Sequence, residues 1–129
     1  MRKNTNNHKM LYAAEYQLDG DESVADMAAS FATEPSQVQW QDNIGFQIKW
    51  DGDAVGEITV EGSNNHDPAK HVQGDFYSLT FDPVLAQPAG VSGGYLININ
   101  QFPFQWIRVA YASDSGAGSF ECWLTSKEI

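Results

Sequence analysis

Apolar and polar residues alternate with a period of two along most of this chain. Phe46, Ile48 and Trp50 alternate with Gly45, Gln47 and Lys49, the pattern of a strand with one face buried and the other wet. Asp51-Gly52-Asp53-Ala54 follows, and Asp-Gly is a strong turn signal, so a hairpin is predicted. Its return strand is residues 55–61, with Ile58 and Val60 inward and Glu57, Thr59 and Glu61 outward. Similar bracketing marks strands at 38–41, ahead of Asp42-Asn43, and at 77–81, where Tyr77, Leu79 and Phe81 alternate before Pro83. Residues 95–100 are predicted to pair with 106–111 across Gln101-Phe102-Pro103-Phe104. There Ile107, Val109 and Tyr111 share one face, and Trp106, Arg108 and Ala110 the other. Asp114-Ser115-Gly116-Ala117-Gly118 turns the chain into a last strand over 119–125, with Phe120, Cys122 and Leu124 inward. A weaker signal places a first strand near 12–18.

About eight short strands at near-regular spacing predict an all-β fold, an antiparallel β-sandwich or jelly roll. The expected core is Phe46, Ile48, Trp50, Ile58, Val60, Leu79, Ile107, Val109 and Leu124. One segment departs from period two. Within residues 23–31, Val24, Met27, Ala28 and Phe31 recur at helical spacing and Ser23 with Asp26 offers a cap, which fits a brief helix or an irregular crossover equally. Residues 62–75 read as a polar inserted loop.

Charge adds to this picture. Among 129 residues, seven Lys+Arg face 17 Asp+Glu, a net charge of −10, yet Arg2, Lys3 and Lys9 all fall within the first nine. Residues 1–10 are therefore expected to be a flexible basic arm, either a frayed end or one that orders on a neighbour, and 11–129 a single sandwich domain. The acidic body repels phosphate backbones, so no nucleic-acid partner is expected. Cys122 is the only cysteine, which excludes an internal disulfide. No apolar run approaches the roughly 18 residues of a membrane span, and the start lacks the apolar stretch of a signal peptide. Folding in a cytoplasm with no membrane partner is expected.

Candidate chemistry is sparse. His8, His66 and His71 lack zinc-site spacing, and Asp19-Gly20-Asp21-Glu22 and Asp51-Gly52-Asp53 fall short of a calcium loop. No nucleophile elbow, phosphate-cradling glycine loop or Cys–His pair is present. No metal, cofactor or catalytic residue is expected, leaving a small enzyme the weakest reading. Trp40, Trp106 and Trp123 are flanked by inward residues, so their rings are candidates for a subunit contact or a sugar platform.

Several segments taken together resemble a group of small bacteriophage virion proteins. They are Asp42-Asn43-Ile44-Gly45-Phe46-Gln47-Ile48-Lys49-Trp50, then residues 56–63, then Ile97-Asn98-Ile99-Asn100-Gln101-Phe102-Pro103-Phe104 with Ile107-Arg108-Val109-Ala110-Tyr111 and Ser113-Asp114-Ser115-Gly116-Ala117-Gly118. The likeness spans roughly residues 37–129 and excludes 1–36 and the 62–75 loop; Asn98 stands where the group more often has Asp. The resemblance implies a phage-encoded β-sandwich in the virion, made in the host cytoplasm, with no defined catalytic residues. The leading expectation is a capsid decoration (cement) protein, bound in many copies to the major capsid protein or other virion proteins. A homo-trimer suits three-fold lattice positions. Candidate interaction residues are Arg2, Lys3, Lys9, Trp40, Trp106 and Trp123. The alternative is a tail- or fibre-associated carbohydrate-binding module using Trp rings and the 62–75 loop.

Overall fold

The computed structural model describes residues 5–9, 12–14, 24–39, 43–82, 84–100 and 102–127, and for 5–9, 12–14, 126 and 127 the description is of the backbone. The alternating segments are strands, and short strands form outside them as well: β1 (Thr5–Lys9), β2 (Tyr12–Ala14), β3 (Ala25–Asp26), β4 (Phe31–Thr33), β5 (Ser36–Gln37), β6 (Asn43–Gly52), β7 (Val55–Ser63), β8 (Tyr77–Ser78), β9 (Gly93–Asn100), β10 (Trp106–Ser115) and β11 (Gly118–Lys127). Among the described residues the only helical element is a 3-10 turn at Pro68–Lys70. The count exceeds the expected eight because β1, β3 and β4 form in segments 5–9, 25–26 and 31–33, where the alternation pattern predicts no strand.

The strands form two antiparallel sheets, consistent with a β-sandwich. Sheet I runs β1-β11-β6-β9, with β3 beside β1 on the same edge of β11. Sheet II runs β2-β4-β10-β7-β8, with β5 beside β4 on the same edge of β10.

Two predicted pairings are corrected. β6 and β7 are not a hairpin: β6 pairs with β11 and β9, and β7 with β10 and β8. Likewise β9 does not pair with β10, since they lie in different sheets. The Asp51–Ala54 and Ser115–Gly118 turns each carry the chain from one sheet to the other, so consecutive long strands face each other across the core. The two crossings lock together. Asp53 N–H donates to the Ala117 carbonyl (2.9 Å) and Ala117 N–H donates to Asp53 Oδ1 (2.9 Å). Gly52 and Gly116 hold φ of +107° and +74°, and a Cβ on Gly116 would lie 2.3 Å from the Asp53 carbonyl oxygen. Only glycine fits that contact.

Residues 23–31 contain no helix among those described. Ala25–Asp26 and Phe31–Thr33 are strands in opposite sheets, and Met27 and Phe31 enter the core while Val24 and Ala28 face solvent. Of the strand expected at 38–41, residues 40 and 41 lie outside the described residues; a short strand stands just before it at Ser36–Gln37, with Val38 buried after it. Regular pairing at 77–81 stops after Ser78. Part of the expected N-terminal arm, Thr5–Lys9, is paired with β11 over residues 123–127.

The core lies between the sheets. Phe46, Ile48, Trp50, Ile58, Val60, Ile107, Val109 and Leu124 are all buried, and Leu79 is partly buried against them. Phe31 packs 5.5 Å from the Tyr111 ring and 5.2 Å from the Phe120 ring, joining the two layers. Each aliphatic or aromatic side chain so buried contributes about 1.5–3 kcal/mol.

Candidate functional site

Outward positions are set by the same alternation that fills the core. Trp106, on β10, and Trp123, on β11, are both half-buried on outer faces, but of opposite sheets, so they do not form one platform. Lys9 lies in β1 opposite Trp123 in the backbone register. Arg2, Lys3 and Trp40 lie outside the described residues.

On the outer face of sheet II, the 62–75 loop folds back over the strands. Asn65 and Asp75 bridge its base through Asn65 Nδ2 to Asp75 Oδ2 (2.9 Å) and Asp75 N–H to Asn65 Oδ1 (2.8 Å). Gly74 N–H donates to His66 Nδ1 (3.1 Å), and the imidazole stands edge-on to Trp106 (4.9 Å) and Phe76 (5.4 Å). Arg108 lies 4.2 Å above the Phe76 ring and pairs with Glu61 at 2.7 Å. Desolvation, then the neighbouring Arg108 cation, lower the His66 pKa, with Asp67 opposing them. These hydrogen bonds and ring contacts join the loop to itself and to β10, so the cluster pins the loop. Among the described residues no three His, Cys, Asp or Glu side chains converge on one point.

The other flank of the sandwich differs in kind. Residues 83–107 form a run of 25 without an Asp, Glu, Lys, Arg or His, where the chain-wide 19% charged content would place about five charges. This run supplies β9 at the end of sheet I and the segment bordering β7 at the end of sheet II. It also holds exposed apolar side chains: Val84 (83%), Leu96 (78%) and Val91 (69%). A cavity of about 340 Å³ between Leu79–Phe81 and Asn98–Asn100 joins the two ends of the flank. Around the corner, on the outer face of sheet I, lies a shallow cleft of about 540 Å³ over Gly45, walled by Gln47, Leu96, Asn98, Trp123 and Thr125. The flank carries no motif, and its signal in the sequence is the uninterrupted absence of charge over residues 83–107.

The two sheet ends on this flank are finished differently. Along β7, Leu79 N–H donates to the Val60 carbonyl (2.8 Å), the Gln87 amide engages both backbone groups of Ile58, and Gly56 N–H donates to the Pro88 carbonyl (3.2 Å). A bridge from Val55 to Ala89 completes the cover. Beside it, β9 pairs with β6 on one edge, and among the described residues no strand pairs with its other edge. β9 also lacks the usual protections of an edge: Gly93-Gly94-Tyr95-Leu96-Ile97-Asn98-Ile99-Asn100 has no charge and no proline.

No protein-family model matches this sequence, and no curated protein matches it either.

Proposed function

We propose that the protein is a non-catalytic structural component of a bacteriophage particle, a decoration protein bound in many copies to the capsid lattice and made in the host cytoplasm. The observation that carries this reading is the uncharged flank. In a chain of net charge −10, evolution of a 25-residue stretch with no charge and three well-exposed apolar side chains fits a surface that is covered in the working state. Contact there adds apolar burial with less desolvation of charge than the rest of the surface would demand, Glu57 being a charged neighbour beside Val84. Its partner in this reading is the major capsid protein or another virion protein. The resemblance of residues 37–129 to small virion proteins points the same way.

The test is a quantitative mass-spectrometric copy count on purified particles. Hundreds of copies per particle support decoration, whereas absence from particles overturns it. A handful supports a tail or fibre location, which has one observation of its own: the cleft beside Trp123 is walled by amides and a hydroxyl (Gln47, Asn98, Thr125) with no charged group, a lining suited to a neutral saccharide. Binding of the isolated protein on a glycan array, lost in Gln47→Ala, would favour that second reading.

A further inference from the structure

We propose that the open edge of β9 is the seat of a second copy of this chain, paired antiparallel to itself about a two-fold axis. The inference rests on the assembly reading of the uncharged flank and names the partner for one part of it. Four observations carry it.

First, sheet II ends under a cover of backbone and Gln87 hydrogen bonds, while sheet I, on the same flank, ends in eight residues with no strand on their outer edge among the described residues. An open edge is a template for another strand. Second, the neighbour must tolerate the charge of this chain. Two bodies of −10 repel wherever acidic surfaces meet, and β9 lies inside the one long stretch that has no charge. Third, the outward face of β9 carries Leu96, exposed despite its apolar character, and pairing would bury part of it.

The fourth observation fixes the geometry. Directly opposed residues in an antiparallel pair point to the same face. Tyr95, Ile97 and Ile99 face the core side and Leu96, Asn98 and Asn100 the outside. A register that opposed Leu96 to Ile97 would set outward against inward residues, so the two-fold axis must pass beside a residue and not between two. Axes at Leu96 or Ile97 pair seven residues, the longest symmetric overlaps that this strand allows. The first stacks Leu96 on Leu96, and the second sets Leu96 against Asn98. Either way sheet I continues across the axis into its copy. An edge paired with itself closes at two copies, so the species in solution is a dimer and not the trimer that three-fold lattice positions invite.

Sedimentation velocity and light scattering on the purified full chain, over a concentration series, test this directly. The expected result is a reversible dimer. Leu96→Lys, at an exposed position, should raise its Kd at least about tenfold while leaving unchanged the melting temperature of the monomer, read well below the wild-type Kd. Val84→Lys, on the same flank but off β9, should leave the dimer intact. A wild-type chain that stays monomeric at every concentration overturns the proposal, as does a Leu96→Lys dimer as tight as wild type. Dissociation by Val84→Lys alone would move the interface off β9 and overturn it as well. If the wild type is monomeric but Leu96→Lys loses its place on particles, the occupant is a strand of another virion protein and the self-pairing is wrong. The particle copy count judges the virion reading separately: a dimer absent from particles sinks that reading alone, and a monomer present in hundreds sinks only the pairing.

Discussion

The side-chain amide of Gln87 closes a two-point ring on the backbone of Ile58, accepting from its N–H and donating to its carbonyl (3.0 Å). One side chain thus does locally what a further strand would do, in the middle of the β7 edge. Gln87→Ala should leave both Ile58 groups without this partner and cost about 1–3 kcal/mol, read as a lower urea midpoint at unchanged slope. Gln87→Glu keeps the acceptor but turns the donor into a second acceptor facing the Ile58 carbonyl. It should be at least as damaging at neutral pH. Wild-type stability in either variant would show that the edge needs no such cover.

The locked sheet-crossing turns give a second expectation. In Gly116→Ala, the new Cβ meets the Asp53 carbonyl oxygen at 2.3 Å and the backbone keeps φ at +74°. Backbone must shift, at a cost of about 1–3 kcal/mol. Ala117→Ser, at an exposed neighbouring position, should be close to neutral. Equal melting temperatures for the two variants would contradict the interlock.

How much of this was legible beforehand depends on which physical question is asked. Alternation identified β6, β7, β10 and β11 and the inward faces of each, because it follows directly from the pleat. Pairing was not legible. Asp51-Gly52-Asp53-Ala54 suits a hairpin and a sheet-to-sheet crossing equally, and both arrangements bury Phe46, Ile48, Ile58 and Val60. Only the partners of the whole set, β11 for β6 and β10 for β7, decide between them. The helical spacing of Val24, Met27, Ala28 and Phe31 was coincidental, since Met27 and Phe31 reach the core from a turn and a strand. The outward placing of Trp106 and Trp123 could be read from parity, but their separation onto opposite faces could not. It is a property of the topology.

Loop anchoring by His66 should depend on pH. Its folded pKa is lowered from the ordinary 6.5, chiefly by desolvation, so the folded state favours the neutral ring. Protonation would also remove the acceptor that Gly74 N–H uses. The stability it contributes is whole above pH 6.5 and is lost as pH falls below 6.5 through the folded value. The melting temperature should therefore drop between pH 7 and 5 by more in wild type than in His66→Gln. Identical pH profiles would show that the ring does not titrate in this way.

Cys122 should be silent in the native state. Its thiol is buried in the core and its pKa is pushed far up by desolvation, so almost no thiolate exists at neutral pH. A thiol reagent such as dithionitrobenzoate should label it at the rate of global opening, and promptly in denaturant. Fast stoichiometric labelling of the folded chain would place the residue outside the core.

The crossings between sheets also set the order of events during synthesis. β11 is an interior strand of sheet I, and its ladder with β6 joins residues 66 to 84 positions apart in the chain. Until residues 118–127 leave the ribosome, β6 has no partner on that side and the layer opposing β7 lacks one of its two central strands. The loop-closure cost falls before most of the reward arrives, which slows folding and makes it all-or-none. A nascent chain lacking β11 therefore exposes alternating apolar strands to its neighbours, and the time spent in that state, more than the stability of the finished sandwich, governs how much of the product escapes aggregation.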